Sequence, residues 1–211
     1  LTVAQFQAVV EQEGALILDT RHQQTFKDGF IPGSIFIGID GGFAPWAGAL
    51  IPDLQQAIVF IADEGREEEV VTRLSRVGFD QTLGYLKGGV QAWEAAGQDL
   101  DKIKSISVSE LEQNMKDQEA LNILDVRKPT EFLSQHIEKA QNTPLDYINQ
   151  NMEVLDPQKS YYIHCKGGYR SMIFSSILKA RGFHKLIDID KGWNAIEKSA
   201  IPLTGYVCPS E

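Results

Sequence analysis

The sequence predicts an α/β chain made of two copies of one domain, each a mainly parallel sheet covered by helices on both faces. Three observations lead there. The 211 residues suit two cores of ordinary size, about 100 residues each. Landmarks recur in order at near-constant spacing: Leu18-Asp19-Thr20-Arg21 returns 106 residues later as Leu124-Asp125-Val126-Arg127, and Phe26 as Phe132; 104 residues on, Gly78-Phe79 returns as Gly182-Phe183 and Lys87-Gly88 as Lys191-Gly192. A two-residue drift is what one loop difference produces, whereas chance similarity would not keep the landmarks in order. Within each copy, short apolar runs alternate with longer amphipathic stretches, the pattern of strand-helix-strand units.

Taken along the chain, residues 2–11 read as an amphipathic helix and Ala15-Leu16-Ile17-Leu18 as a strand. Ile58-Val59-Phe60-Ile61 is the next strand, followed by a helix over residues 67–77 that Gly78 stops. In the second copy Asn122-Ile123-Leu124 and Tyr161-Tyr162-Ile163 are strands, and residues 171–181 form a helix that Gly182 stops. These runs are continuously apolar rather than alternating, so both faces of each strand are buried, as in parallel sheets. The copies meet near residues 97–104, giving domains 1–101 and 102–211. Ligands of such sheets lie beyond the carboxyl ends of the strands.

Composition narrows the function. Hydrophobic residues make up 43% and charged residues 23%, which excludes a disordered or collagen-like chain. No run approaches the ~18 apolar residues of a membrane span, and no membrane partner is expected. The formal charge of −9 disfavours broad binding to phosphate backbones, so no nucleic-acid partner is expected and an anionic substrate must be captured locally. Two cysteines, Cys165 and Cys208, are too few for a disulfide framework and suggest a reducing compartment, with the cytoplasm as default. The opening Leu1-Thr2-Val3-Ala4 has neither Met nor a signal pattern and reads as the start of a piece of something longer.

One strand end carries unusual chemistry. After Tyr161-Tyr162-Ile163-His164 come Cys165, Lys166, Gly167, Gly168, Tyr169, Arg170 and Ser171, and a helix starts at once. Two glycines permit a tight turn with inward N–H groups, which with the positive helix end make an anion cradle. The same field, with Lys166 and Arg170 nearby, favours the thiolate of Cys165. Arg170 offers a planar fork to an oxyanion, and Ser171 is read as the helix cap. The competing reading is a small buried cysteine in a strand-helix turn.

The Cys-x-x-Gly-x-Arg-Ser loop after a strand, with Leu-Asp-Val-Arg upstream and Gly-Phe and Lys-Gly downstream, resembles the rhodanese (sulfurtransferase) domain, and the resemblance extends over both copies. It implies that Cys165 is the sulfur-carrying nucleophile, that residues 166–171 donate amides to the persulfide and substrate, and that no cofactor is needed. The implied substrates are thiosulfate or a low-molecular-weight persulfide, with a thiol or cyanide as acceptor. Related phosphatase loops place one residue more between Cys and Arg than the four here, which favours sulfane sulfur. Two other functions fit the residues: a Cys-dependent phosphatase or arsenate reductase, and a non-catalytic docking pair serving a larger sulfur-metabolising enzyme.

The first copy lacks the nucleophile. With the strand ends Ile61 and Ile163 set opposite each other, Asp63 stands at the cysteine position and Glu68 at the arginine position, and Glu64, Glu67 and Glu69 add repulsion against which only Arg66 stands. An inactive domain serving packing or docking is expected. The second copy departs from the family at Gln135-His136-Ile137-Glu138-Lys139-Ala140 and at Lys191-Gly192-Trp193, changes expected to alter local backbone and not to touch the Cys165 loop. The segment from Gly41 to Ile51 resembles the aromatic insertion of rhodanese domains fused behind a metallo-hydrolase of the persulfide dioxygenase type, which implies an upstream metallo-hydrolase domain as partner; the alternative is a short helix capping the first core. Asp125 and Arg127, repeated as Asp19 and Arg21, read as a structural ion pair or a turn cap. His164 should point away from Cys165 by strand alternation, and His22, His136 and His184 show no metal-ligand spacing. Cys208 reads as a tail thiol.

Overall fold

The computed structural model describes residues 1–117 and 120–208. Two compact units emerge, Leu1–Lys102 and Ile103–Glu211, each a parallel sheet with helices around it.

The first unit runs α1 (Val3–Glu13), β1 (Leu16–Asp19), α2 (Gln23–Asp28), β2 (Ile35–Phe36), α3 (Phe43–Leu50), β3 (Ile58–Ile61), α4 (Glu67–Ser75), β4 (Thr82–Tyr85) and α5 (Gly89–Ala95). Helix α1 begins where Thr2 Oγ1 accepts the Gln5 N–H while the Gln5 side chain accepts the Thr2 N–H, a reciprocal cap. The sheet order is β2-β1-β3-β4, all parallel. Successive strand residues feed opposite faces. Leu18, Ile58 and Phe60 pack with Phe43, Val70, Leu74 and Phe79, while Ile17, Val59 and Ile61 pack with Phe6, Leu86 and Trp93. That is why these strands are apolar throughout. Helix α3 drives Phe43 and Ala47 into the first core with Trp46 and Leu50 against it, so the aromatic segment is a wall of its own domain.

The second unit runs β5 (Lys104–Ile106), α6 (Val108–Asp117), β6 (Ile123–Asp125), α7 (Pro129–Ser134), β7 (Gln141–Asn142), a 3₁₀ turn (Leu145–Tyr147), α8 (Ile148–Glu153), β8 (Tyr161–His164), α9 (Tyr169–Ala180), β9 (Leu186–Ile189) and α10 (Trp193–Ile196). Its sheet order is β5-β9-β8-β6-β7, again parallel. Central β8 is buried along its whole length, and α9 buries every residue from Ser171 to Leu178. Strand β8 and the 171–178 stretch of α9, which flank the Cys165 loop, are therefore among the most deeply buried elements of this domain.

The repeated Gly-Phe landmark ends α4 and α9 in the same way. The N–H groups of Gly78 and Phe79 donate to the carbonyls of Ser75 and Leu74, and those of Gly182 and Phe183 to Lys179 and Leu178, while each Phe is buried. Lys139 occupies the left-handed conformation (φ 68°) that Gly33 holds in the first copy (φ 84°), so this departure from the family keeps the backbone path and loads it on a side-chain-bearing residue. No helix among the described residues is long and apolar enough to cross a membrane.

Candidate functional site

Cys165 is the first residue beyond β8, 1% exposed, beneath an exposed Lys166 and Gly167. Its Sγ accepts the Gly168 N–H at 3.2 Å. Gly168 is the N-cap of α9 at φ 100°, a conformation that costs a side-chain-bearing residue of order 1–3 kcal/mol. This geometry turns the amide inward and aims the positive end of a twelve-residue helix at the sulfur. Tyr169, Arg170 and Ser171 are the first three helical residues.

The loop is held from below by a segment the sequence reading set aside. The Trp193 N–H donates to the Cys165 carbonyl at 2.8 Å and the Asn194 N–H to the Lys166 carbonyl at 3.0 Å. Gly192 lies so close that a Cβ there would sit 2.3 Å from the Cys165 oxygen. Lys191-Gly192-Trp193 therefore touches the Cys165 loop, contrary to expectation. Asn194 and Gly192 are site residues that local motif reading missed; the signal was the Lys-Gly landmark recurring at fixed spacing after Gly-Phe.

Two expected roles are corrected. The guanidinium of Arg170 does not face an open anion site: its Nη1 and Nη2 donate to the two carboxylate oxygens of Glu131 at 2.6 and 2.9 Å. Glu131 also accepts the Lys128 N–H at 3.1 Å, which fixes the carboxylate at the start of α7. Burial opposes the charge on Glu131, yet Arg170 and the Lys128 amide outweigh it and hold the carboxyl below its usual range. The hydrogen bonds from Arg170 to Glu131 hold the arginine more firmly charged in turn. Ser171 does not cap the helix. It lies in the first turn, buried, and its Oγ donates to Asp188 at 2.8 Å on β9; Asp188 also accepts from Ser105 on β5 at 3.3 Å. Ser171 thereby ties the start of α9 to the sheet.

Asp125 and Arg127 form a buried bidentate pair, with Arg127 Nη2 donating to the Gln135 carbonyl at 2.8 Å. Asp19 and Arg21 repeat it with the Gly29 carbonyl at 2.8 Å, so the arrangement serves the fold in both copies. Arg127 stacks 4.1 Å from the Trp193 ring centre. His164 is fully buried. Its Nδ1 lies 3.3 Å from the Cys165 carbonyl oxygen and its Nε2 3.8 Å from Asp125. Burial pushes its pKa down against the pull of Asp125, and it faces the backbone of Cys165 rather than acting as its base. A cavity of about 310 Å³ beside the loop is lined by Lys166, Glu131, Arg127, Trp193 and Glu197 among others.

The first copy differs by more than identity. Ile61 pairs with Asp19 as His164 pairs with Asp125, which puts Ala62, not Asp63, at the place of Cys165; the loop is one residue longer before α4 begins. Glu68, second in α4, does match Arg170, second in α9. Arg66 is paired with Asp40 at 2.7 Å and Glu69 at 2.9 Å, and a cavity of about 550 Å³ at this strand end is lined by Asp63, Glu64, Glu67, Arg21 and Lys87 among others. Cys208 is exposed in the tail. His22 caps α2 and His136 stacks on Phe132, and no cluster of three or more metal-ligating side chains occurs among the described residues.

The Bacillus subtilis protein named "Putative sulfur carrier protein YrkF" is 32% identical over 106 residues, 50% of this chain and 55% of its own length, so the chain spans about half of that relative. The Bacillus subtilis "Putative sulfurtransferase YtwF" is 33% identical over 101 residues, 48% of this chain and 97% of its own. The crystal structure of a rhodanese-like domain protein from Staphylococcus aureus is 28% identical, covers 49% of this chain and all of its own, and superposes with a TM-score of 0.45. The model of the rhodanese-like domain matches residues 2–96 and 107–199, and the chain belongs to the rhodanese-like domain family, of which it carries two copies.

Proposed function

We propose that the second domain is a sulfurtransferase working through a persulfide on Cys165. The observation that carries this reading is the Cys165 sulfur at the tip of β8, accepting the Gly168 amide at the N-terminus of α9, a setting that stabilises a thiolate and the terminal sulfur of a persulfide alike. With thiosulfate as donor, the Cys165 thiolate attacks the outer sulfur; the new S–S bond forms as the old one breaks, and sulfite leaves with the bonding pair. With a persulfide donor the leaving group is the thiolate. An acceptor thiolate or cyanide then attacks the terminal sulfur of Cys165, giving a new persulfide or thiocyanate and regenerating the thiolate. No base is required at the sulfur, in keeping with the orientation of His164.

Gly192, Trp193 and Asn194 hold the loop from below, Ser171 and Asp188 hold the helix start, and Gly168 supplies the amide. Cys165 and Cys208 both lie in the second copy, so the first takes no covalent part. The test is thiocyanate formation from thiosulfate or cysteine persulfide plus cyanide. Wild type turns over with at least one donor, whereas Cys165→Ser with an unchanged thermal midpoint does not; equal turnover by both proteins would end this reading.

A further inference from the structure

We propose that Glu131 sets the donor preference of the Cys165 site, selecting persulfides of low charge over dianionic thiosulfate by holding Arg170 in an ion pair. The inference rests on the sulfur-transfer reading above and adds which donor the site prefers and what residue decides it. Two guanidinium groups beside the loop are committed to carboxylates. Arg170 has both terminal nitrogens on Glu131. Arg127 is bound to Asp125 and to the Gln135 carbonyl and stacked on Trp193. Lys166 is on the exposed part of the loop, and the exposed Lys191 precedes the Gly192 turn that lies against it.

Against these stand the carboxylates of Glu131 and Glu197 in the same cavity wall. The charge of both guanidinium groups is thus largely offset, and a dianion gains less from them than from unpaired arginines. A donor with one net negative charge, or none, suffers less from the carboxylates. Glu131 is a specificity-determining residue in this account. It touches neither Cys165 nor the transferred sulfur, and acts by neutralising the arginine next to them.

The substitution that tests this is Glu131→Gln. It keeps an oxygen to accept the Lys128 amide, so α7 keeps its cap, and it removes the charge that balances Arg170. Donor kcat/KM is measured for thiosulfate and for cysteine persulfide with cyanide as acceptor. The value for thiosulfate should rise by about tenfold and that for cysteine persulfide by less than about twofold, the difference expected from one added net charge acting on a dianion at a partly screened site. The gain in thiosulfate use should disappear as salt is raised to about 0.3 M. An unchanged ratio between donors overturns the inference.

Wild type supplies an independent arm if the variant folds poorly. Its thiosulfate kcat/KM should vary by less than about twofold between low salt and about 0.3 M, because both guanidinium groups beside the loop are paired and Lys166 is solvent-exposed; a steep fall with salt overturns the inference. If neither donor loads Cys165 in wild type, the sulfur-transfer reading itself has failed. If both load and the donor ratio ignores Glu131, only the present inference has.

Discussion

Gly192→Ala is the substitution with the most consequence per atom added. Gly192 sits at φ 50°, ψ −137°, a region costing a side-chain-bearing residue of order 1–3 kcal/mol. The new methyl would meet the Cys165 oxygen at 2.3 Å, the Cys165 carbonyl carbon at 3.0 Å and the Lys166 carbonyl carbon at 3.3 Å. All three are backbone atoms, and none can swing aside as a flexible side chain would. Relief to an ordinary contact of about 3.4 Å or more requires the Cys165 loop to move by roughly 1 Å, which strains the Trp193 and Asn194 hydrogen bonds beneath it. Strain and weakened bonds together should cost about 2–4 kcal/mol, a drop of order 10 °C in the midpoint of the second domain. Displacing the nucleophile by that distance should slow sulfur transfer by about a hundredfold. The control is Gly167→Ala, whose added methyl meets only Asn194 Nδ2 at 3.4 Å; it should stay within about 0.5 kcal/mol of wild type. The assays are thermal unfolding and thiocyanate production. If Gly192→Ala matches wild type in both, the claim that this turn is the floor of the site is wrong.

Other outcomes follow from the same structure. Lys139→Gly should stabilise the second domain by about 1 kcal/mol by removing the left-handed lysine, and a neutral or negative change in denaturant midpoint would show the lysine is not strained. Buried His164 has its pKa lowered in the fold, so the unfolded chain takes up its proton first, near pH 6.5. The stability tied to neutral His164 is complete above that pH and is lost as pH falls below it, by up to about 1.4 kcal/mol per pH unit. His164→Gln should flatten the stability curve between pH 7.5 and 5.5 relative to wild type, approximately the window this linkage spans; parallel curves would contradict the assignment.

The repeat, the α/β class and the interior strands were legible because β1, β3, β6 and β8 are buried on both faces and so are written as unbroken apolar runs. The edge strands β2 and β7 were not: two residues each leave no period to read. Strand β9 carries a buried Asp188 amid its apolar residues, which breaks the pattern for the sake of Ser171. At the site, the order of strand, loop and helix around Cys165 was legible, whereas side-chain partners adjacent only in space were not. Glu131 looks like the start of a helix until its partner 39 residues away is seen, and Gly192 looks like a turn until the Cys165 carbonyl is placed against it. The assignment of Asp63 to the cysteine position failed for a related reason: one extra loop residue is invisible without the ladder that aligns Ile61 with His164.

The central claim, a covalent persulfide on Cys165, is tested most directly by intact-protein mass after incubation with thiosulfate or cysteine persulfide, before and after cyanide. Wild type should gain about 32 Da per sulfur bound, cyanide should remove it, and Cys165→Ser should gain nothing. No gain with either donor, or an equal gain in Cys165→Ser, would contradict the account.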